Sequence, residues 1–211
     1  MKNSLLASVL LSLLPVTAYA SGVAVTVTDS TGKPLEDVVV FVEAEGGSPV
    51  KQIKSAEIEQ KGLKFLPLVT VVPVGSKINF PNNDKVRHHI YSFSPAKKFD
   101  QKLYSGVAAT PQVFDKAGTV VLGCNIHDKM IAYVKVVDTP HFAKTDASGV
   151  AKIELPAAGK YTVTAWHYNQ TAGAKGVESV TLKAGDAATT LKFALAQKPP
   201  QAETDAMPAN Y

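Results

Sequence analysis

A second cysteine is missing from these 211 residues, so Cys124 has no internal disulfide partner. A lone thiol in an oxidising compartment is open to oxidation unless something occupies it. Beyond residue 20 no apolar run approaches the roughly 20 residues that a membrane helix needs, which removes a helical span from the body of the chain. No long stretch carries a helical period either. Basic runs are also absent. The net charge is +4, but the lysines are scattered, and no stripe is suited to following a nucleic-acid backbone.

At the start of the chain, Lys2, the apolar run Leu5–Val16 and Ala18-Tyr19-Ala20 form the pattern of a cleavable secretory signal peptide over residues 1–20. The expected mature protein begins at Ser21 and is exported, to the periplasm in this reading. From there on the pattern is β-like throughout. Val23–Thr28, Val38–Val42, Val69–Val72, Lys77–Phe80 and His88–Phe93 read as strands, with breakers at Gly46-Gly47-Ser48-Pro49, Pro73-Val74-Gly75 and Asn82-Asn83-Asp84. Residues 50–66 are polar and without period, and 94–112 read as a long connection. Thr119–Leu122 and Ile131–Val137 are strong β-branched strands, and short alternating strands recur at about ten-residue spacing from residue 142 to Leu195. The predicted fold is all-β, built from β-sandwiches.

The chemistry concentrates in Gly123-Cys124-Asn125-Ile126-His127-Asp128-Lys129-Met130. A thiolate, an imidazole and a thioether within seven residues are soft and borderline donors of the kind that suit copper. A second imidazole is lacking there, and His88-His89 lies upstream in a strand. Neighbours on a strand face opposite ways, so only one of that pair can turn toward a site. Singly, each residue has an ordinary explanation: a buried inert cysteine, a turn histidine, a core-filling methionine.

Several phrases stand in a recognisable order. They are Val69-Thr70-Val71-Val72-Pro73-Val74-Gly75, then Ile78-Asn79-Phe80-Pro81-Asn82-Asn83 leading to His88, then Phe114-Asp115-Lys116-Ala117-Gly118-Thr119, then Cys-x-x-His-x-x-Met. Over about Ala56 to Asp138 this resembles the cupredoxins, most closely amicyanin and plastocyanin, and also exported cupredoxin-like proteins labelled as methylamine utilisation proteins. The resemblance implies a Greek-key β-sandwich with one type 1 copper, held by His88, Cys124 and His127 with Met130 as axial donor. Family spacing from Asn82-Asn83 favours His88 over His89. The resemblance also implies a one-electron carrier rather than an enzyme, because the copper enzymes of the superfamily add histidine-rich sites that five histidines cannot supply. This sequence departs from the family at four places: His89 replaces a frequent Asn, Leu122 a Tyr, Ile126 a Pro and Lys129 an aromatic. A redox partner with an acidic patch is expected if Lys85, Arg87, Lys97, Lys98, Lys102 and Lys129 gather at the copper end.

Thr145-Asp146-Ala147-Ser148-Gly149 and Leu155-Pro156-Ala157-Ala158-Gly159-Lys160-Tyr161 resemble the prealbumin-like modules of carboxypeptidase regulatory domains, whose usual opening stands here at Val25–Val42. The resemblance implies a split module. The expected divisions are 21–46 pairing with a small prealbumin-like sandwich at 139–196, a copper domain at 47–138, and a disordered tail at 197–211. The plainer alternative gives the N-terminal strands to the middle domain. Two further functions stay open: a copper chaperone or store without redox traffic, and a structural or docking protein with a vestigial site.

Overall fold

The structure is a computed structural model that describes residues 21–47, 50, 53–106, 110–156, 158–172, 176–182 and 189–199. The expected signal-peptide segment 1–20 and most of the expected tail lie outside the described residues. Among those residues the chain is all-β, with seventeen strands and no helix. In chain order these are β1 (Ser21–Asp29), β2 (Val39–Ala44), β3 (Ser55–Glu57), β4 (Glu59–Gln60), β5 (Phe65–Leu66) and β6 (Val69–Pro73). Next come β7 (Ser76–Asn79), β8 (His88–Ser94), β9 (Lys97–Tyr104), β10 (Gln112–Phe114), β11 (Gly118–Cys124) and β12 (Ile131–Val137). The last five are β13 (His141–Lys144), β14 (Val150–Leu155), β15 (Gly159–Trp166), β16 (Val177–Leu182) and β17 (Thr189–Leu195).

The strands close around two separate cores. One joins a sheet ordered β14-β1-β17 to a sheet ordered β13-β2-β15-β16. Val23, Val25 and Val27 alternate inward from β1 and meet Val40, Val42, Val163 and Phe193. The N-terminal strands therefore share a core with strands more than a hundred residues later: Ser21 pairs with Leu155, and Val39 with Lys144. The other core joins the five-stranded sheet β6-β12-β11-β8-β9 to smaller sheets made of β10-β7-β3 and β4-β5. Phe80, Phe114, Ile78, Ile90, Leu122 and Val134 fill it.

Gly149 shows why one turn of the first core needs glycine. Its φ is +74°, and a Cβ there would run into the carbonyl oxygen of Val27, whose own N–H donates to Gly149 O at 2.8 Å. Gly149→Ala is expected to destabilise this sandwich by at least ~1–2 kcal/mol, the cost of a left-handed non-glycine residue. Hydrogen exchange at the amides of β1 and β15 measures that loss, and unchanged protection there would contradict the turn geometry.

Among the described residues, several side chains make contacts between the sandwiches, Lys54 over Phe142 at 5.3 Å being one. Tyr133 of β12 stacks on Tyr168 with ring centroids 4.8 Å apart. Lys135 of β12 lies over Phe41 at 5.6 Å and over Trp166 at 5.1 Å. Burial lowers its pKa, and nearby Glu43 only partly opposes that. Lys144 Nζ donates to Asp37 at 2.5 Å and to the Val69 carbonyl, across the junction, at 2.9 Å.

Two segments differ from the sequence expectation. Within 94–112, read as a connection, β9 is the edge of the five-stranded sheet, and its outward lysines are a usual way of blunting such an edge. Within 50–66, read as periodless, β4 and β5 form a hairpin, closed where Lys61 N–H donates to Lys64 O at 3.0 Å. Both residues at its tip, Gly62 (φ 64°) and Leu63 (φ 56°), are left-handed, as a type I′ turn requires.

Candidate metal centre

Strand alternation brings two donors to one place. In β11, Val120, Leu122 and Cys124 face inward; in β8, His88, Ile90 and Ser92 do. Cys124 is registered opposite Ile90, so His88, two residues along β8, lies on the same inward face. The 124–130 loop supplies the third donor. Cys124 N–H donates to Met130 O at 3.3 Å and Met130 N–H to His127 O at 2.9 Å, closing the loop on itself and turning His127 back over the sheet.

The result is a triangle of donor atoms. His88 Nδ1 and His127 Nδ1 are 3.2 Å apart, and Cys124 Sγ is 3.9 Å from the first and 3.7 Å from the second. His88 and Cys124 are buried and His127 is half-buried. An ion bound about 2.0 Å from each nitrogen and about 2.3 Å from sulfur would space trigonal donors roughly 3.5 Å apart for N–N and 3.7 Å for N–S. Each edge of the triangle lies within about 0.3 Å of those values, and its two imidazoles and one thiol are a copper-type donor set. Among the described residues this is the one group of three or more His, Cys, Asp or Glu side chains close enough to share an ion.

Met130 is brought beside Cys124 by the loop's backbone bonds, and its side chain is buried in the same core. His89 turns away: its Nε2 bonds to Asp100 on the outer face of the sheet. His141 lies in β13, and His167 is buried in the other sandwich against Tyr168. Of the expected basic cluster, Lys85, Arg87 and Lys129 are exposed in the segments that carry His88 and His127. Lys97 and Lys98 pair with Ser94 and Phe93 at the far end of the β8–β9 hairpin, about 20 Å along the strand from His88.

No family model matches the chain, and no curated protein matches it. Among solved structures it is similar to a purple cupredoxin from Nitrosopumilus maritimus, at 23% identity and TM-score 0.35, over 39% of this chain and 99% of that one. It is similar also to amicyanin from Paracoccus versutus, at 16% identity and TM-score 0.36, over 49% of this chain and all of that one. A copper-containing nitrite reductase from Thermus scotoductus is similar at 20% identity and TM-score 0.38, over 54% of this chain but 28% of the enzyme.

A support that the sequence reading missed lies behind His88. Its Nε2 is 2.9 Å from Asp84 Oδ2. Asp84 also accepts the N–H of Gly62 at 2.6 Å and that of Leu63 at 3.1 Å, so the tip of the β4–β5 hairpin grips the same carboxylate. Burial works to raise the Asp84 pKa, but the hydrogen bonds from His88, Leu63 and Gly62 outweigh it and hold the carboxyl below its ordinary value. Asp84 is positioned in turn by buried Asn82. The Asn82 Oδ1 accepts Asp84 N–H at 3.0 Å, and its amide nitrogen donates to Val86 O and Tyr104 O. Below it, Tyr104 donates to Phe80 O at 2.6 Å and accepts from Gln60 Nε2, while burial pushes the Tyr104 phenol up to about 12. No local pattern marks Asp84 as more than a turn residue, since its partners come from 62–63 and from four residues later.

Proposed function

We propose that this protein is an exported type 1 copper protein that carries single electrons between redox partners. The observation that carries this reading is the donor triangle of His88, Cys124 and His127, with edges suited to one ion and donors suited to copper. In this reading Met130, buried and brought next to Cys124 by the loop's backbone bonds, would supply a fourth donor through its thioether. Bound copper would supply a Cu(I)/Cu(II) couple.

The chain's residues fit that role. Four protein donors leave no open position for a substrate, which favours a carrier over an enzyme. His88 and Cys124 are sealed in the core, where water is excluded, while half-buried His127 offers its ring edge to a partner. Ile126, 49% exposed, and the exposed Lys85, Arg87 and Lys129 share that end of the molecule. An acidic partner surface suits them, with association weakening as salt rises.

Adding Cu(II) to the purified protein tests this reading. One equivalent is expected to give an intense visible thiolate-to-copper band that bleaches and returns on reduction and reoxidation. It is also expected to raise unfolding stability by about 2.7 kcal/mol at a free copper concentration one hundred times Kd. The exposure of Ile126 and Lys129, where the site's cover is thin, favours a second reading as a copper chaperone or store. Tight Cu(I) binding without the band would establish that reading instead, and no binding of either ion would sink both.

A further inference from the structure

We propose that Asp84 is a positioning residue that fixes the tautomer of His88 and biases the donor set toward the more highly charged state of its ion. The second half rests on the copper reading above; the first does not.

The His88 ring has no exposure to water, and both its nitrogens are committed. Nδ1 faces Cys124 and His127, and Nε2 faces the Asp84 carboxylate, whose side chain is 13% exposed. An ionised carboxylate only accepts hydrogen bonds, so in the neutral ring, the form that binds an ion, the proton sits on Nε2. Nδ1 is then left with the bare lone pair that an ion needs. In water a neutral imidazole can carry its proton on either nitrogen; here the fold has chosen. Asp84 is itself held by three N–H donors, from Gly62, Leu63 and His88, and by Asn82 through its own N–H, so it cannot swing away without breaking the hairpin contact.

A neutral acceptor would fix the tautomer equally well. What the carboxylate adds is charge. A carboxylate bonded to the far nitrogen raises the basicity of a metal-ligating imidazole. Negative charge one ring away stabilises Cu(II) more than Cu(I), which lowers the reduction potential. Asp84→Asn separates the two effects, because its amide oxygen can still accept from Nε2–H while the charge is gone. Asp84→Ala removes both.

Two measurements on the full chain test this. Nitrogen–proton correlation NMR of the metal-free protein is expected to show His88 protonated at Nε2 in the wild type and in Asp84→Asn. In Asp84→Ala the Nδ1-protonated fraction is expected to grow at least tenfold. A wild-type ring protonated at Nδ1, or an unchanged ratio in Asp84→Ala, overturns the tautomer assignment. With copper, Asp84→Asn is expected to bind and to lose about tenfold in its preference for Cu(II) over Cu(I), a rise of about 59 mV for a one-electron couple. An unchanged or lower potential, or loss of copper binding in this variant alone, overturns the charge effect. Were the wild type to bind no copper, the functional reading would fail while the tautomer result stood.

Discussion

Cys124→Ser is expected to abolish the intense visible band and to weaken copper binding by more than about 100-fold, beyond what losing an outer support costs a metal site. The reason lies in donor chemistry and in packing. The thiolate is the softest donor in the triangle, and a serine hydroxyl does not replace it for copper. Cys124 is 2% exposed and belongs to the wall of the core, so water can hardly fill the place. Serine is close in size, so the metal-free fold is expected to survive, with amide protection retained in β8 and β11. Competition titration against a chelator of known affinity and a visible spectrum read the two outcomes. A serine variant that keeps the band would show that sulfur is not the ligand.

The second large effect is one of stability. Phe80→Ala is expected to cost about 3–5 kcal/mol, the range for emptying a buried aromatic site. Phe80 is 1% exposed, with its ring centroid 5.9 Å from that of Phe99. Its carbonyl also receives the Tyr104 hydroxyl and the Gln60 amide, the strut under Asn82. With two cores in one chain, a single unfolding midpoint is not a safe measure. Hydrogen exchange at the amides of β8 and β11, compared with those of β1 and β15, assigns the loss to one sandwich. A loss below about 1 kcal/mol would mean that the ring does not fill a close-packed site.

How much of the fold was legible in the sequence depended on the reach of each signal. β11 and β12 announce themselves by their β-branched residues and β8 by its strand-like run between breakers. Strand alternation says only that one of His88 and His89 turns inward, and the spacing from Asn82-Asn83 is what pointed to His88. The loop between Cys124 and Met130 is short, so its donors are close whatever the fold. β4 and β5 have two residues each, too few to display a period, and Leu63 at their tip is no turn signal although its φ is 56°. β9 hides for another reason: its charges lie where an edge strand faces water, which makes Lys97–Tyr104 look like a linker. Asp84 was illegible because its role exists only once the hairpin at 59–66 has been brought against it. The four residues that depart from the family pattern fare differently. Ile126 and Lys129 are exposed and Leu122 is core, while His89 is engaged with Asp100 on the outer face.

The way β1 and β2 are paired has a consequence for how the chain is born. Among the described residues, strands β3 to β12 find all their sheet partners between residues 55 and 137. This unit can close as soon as that stretch is available. β1 must wait for Val150–Leu155 and Thr189–Leu195, and β2 for His141–Lys144 and Gly159–Trp166. Pairings of such long sequence separation form slowly, because the loop must be closed before any contact stabilises it. During that interval two valine-rich strands at the N-terminal side have bare edges, the surface on which chains aggregate. The unit that carries the donor triangle is therefore expected to protect its amides before β1 and β2 do, which pulse-labelled hydrogen exchange during refolding would read.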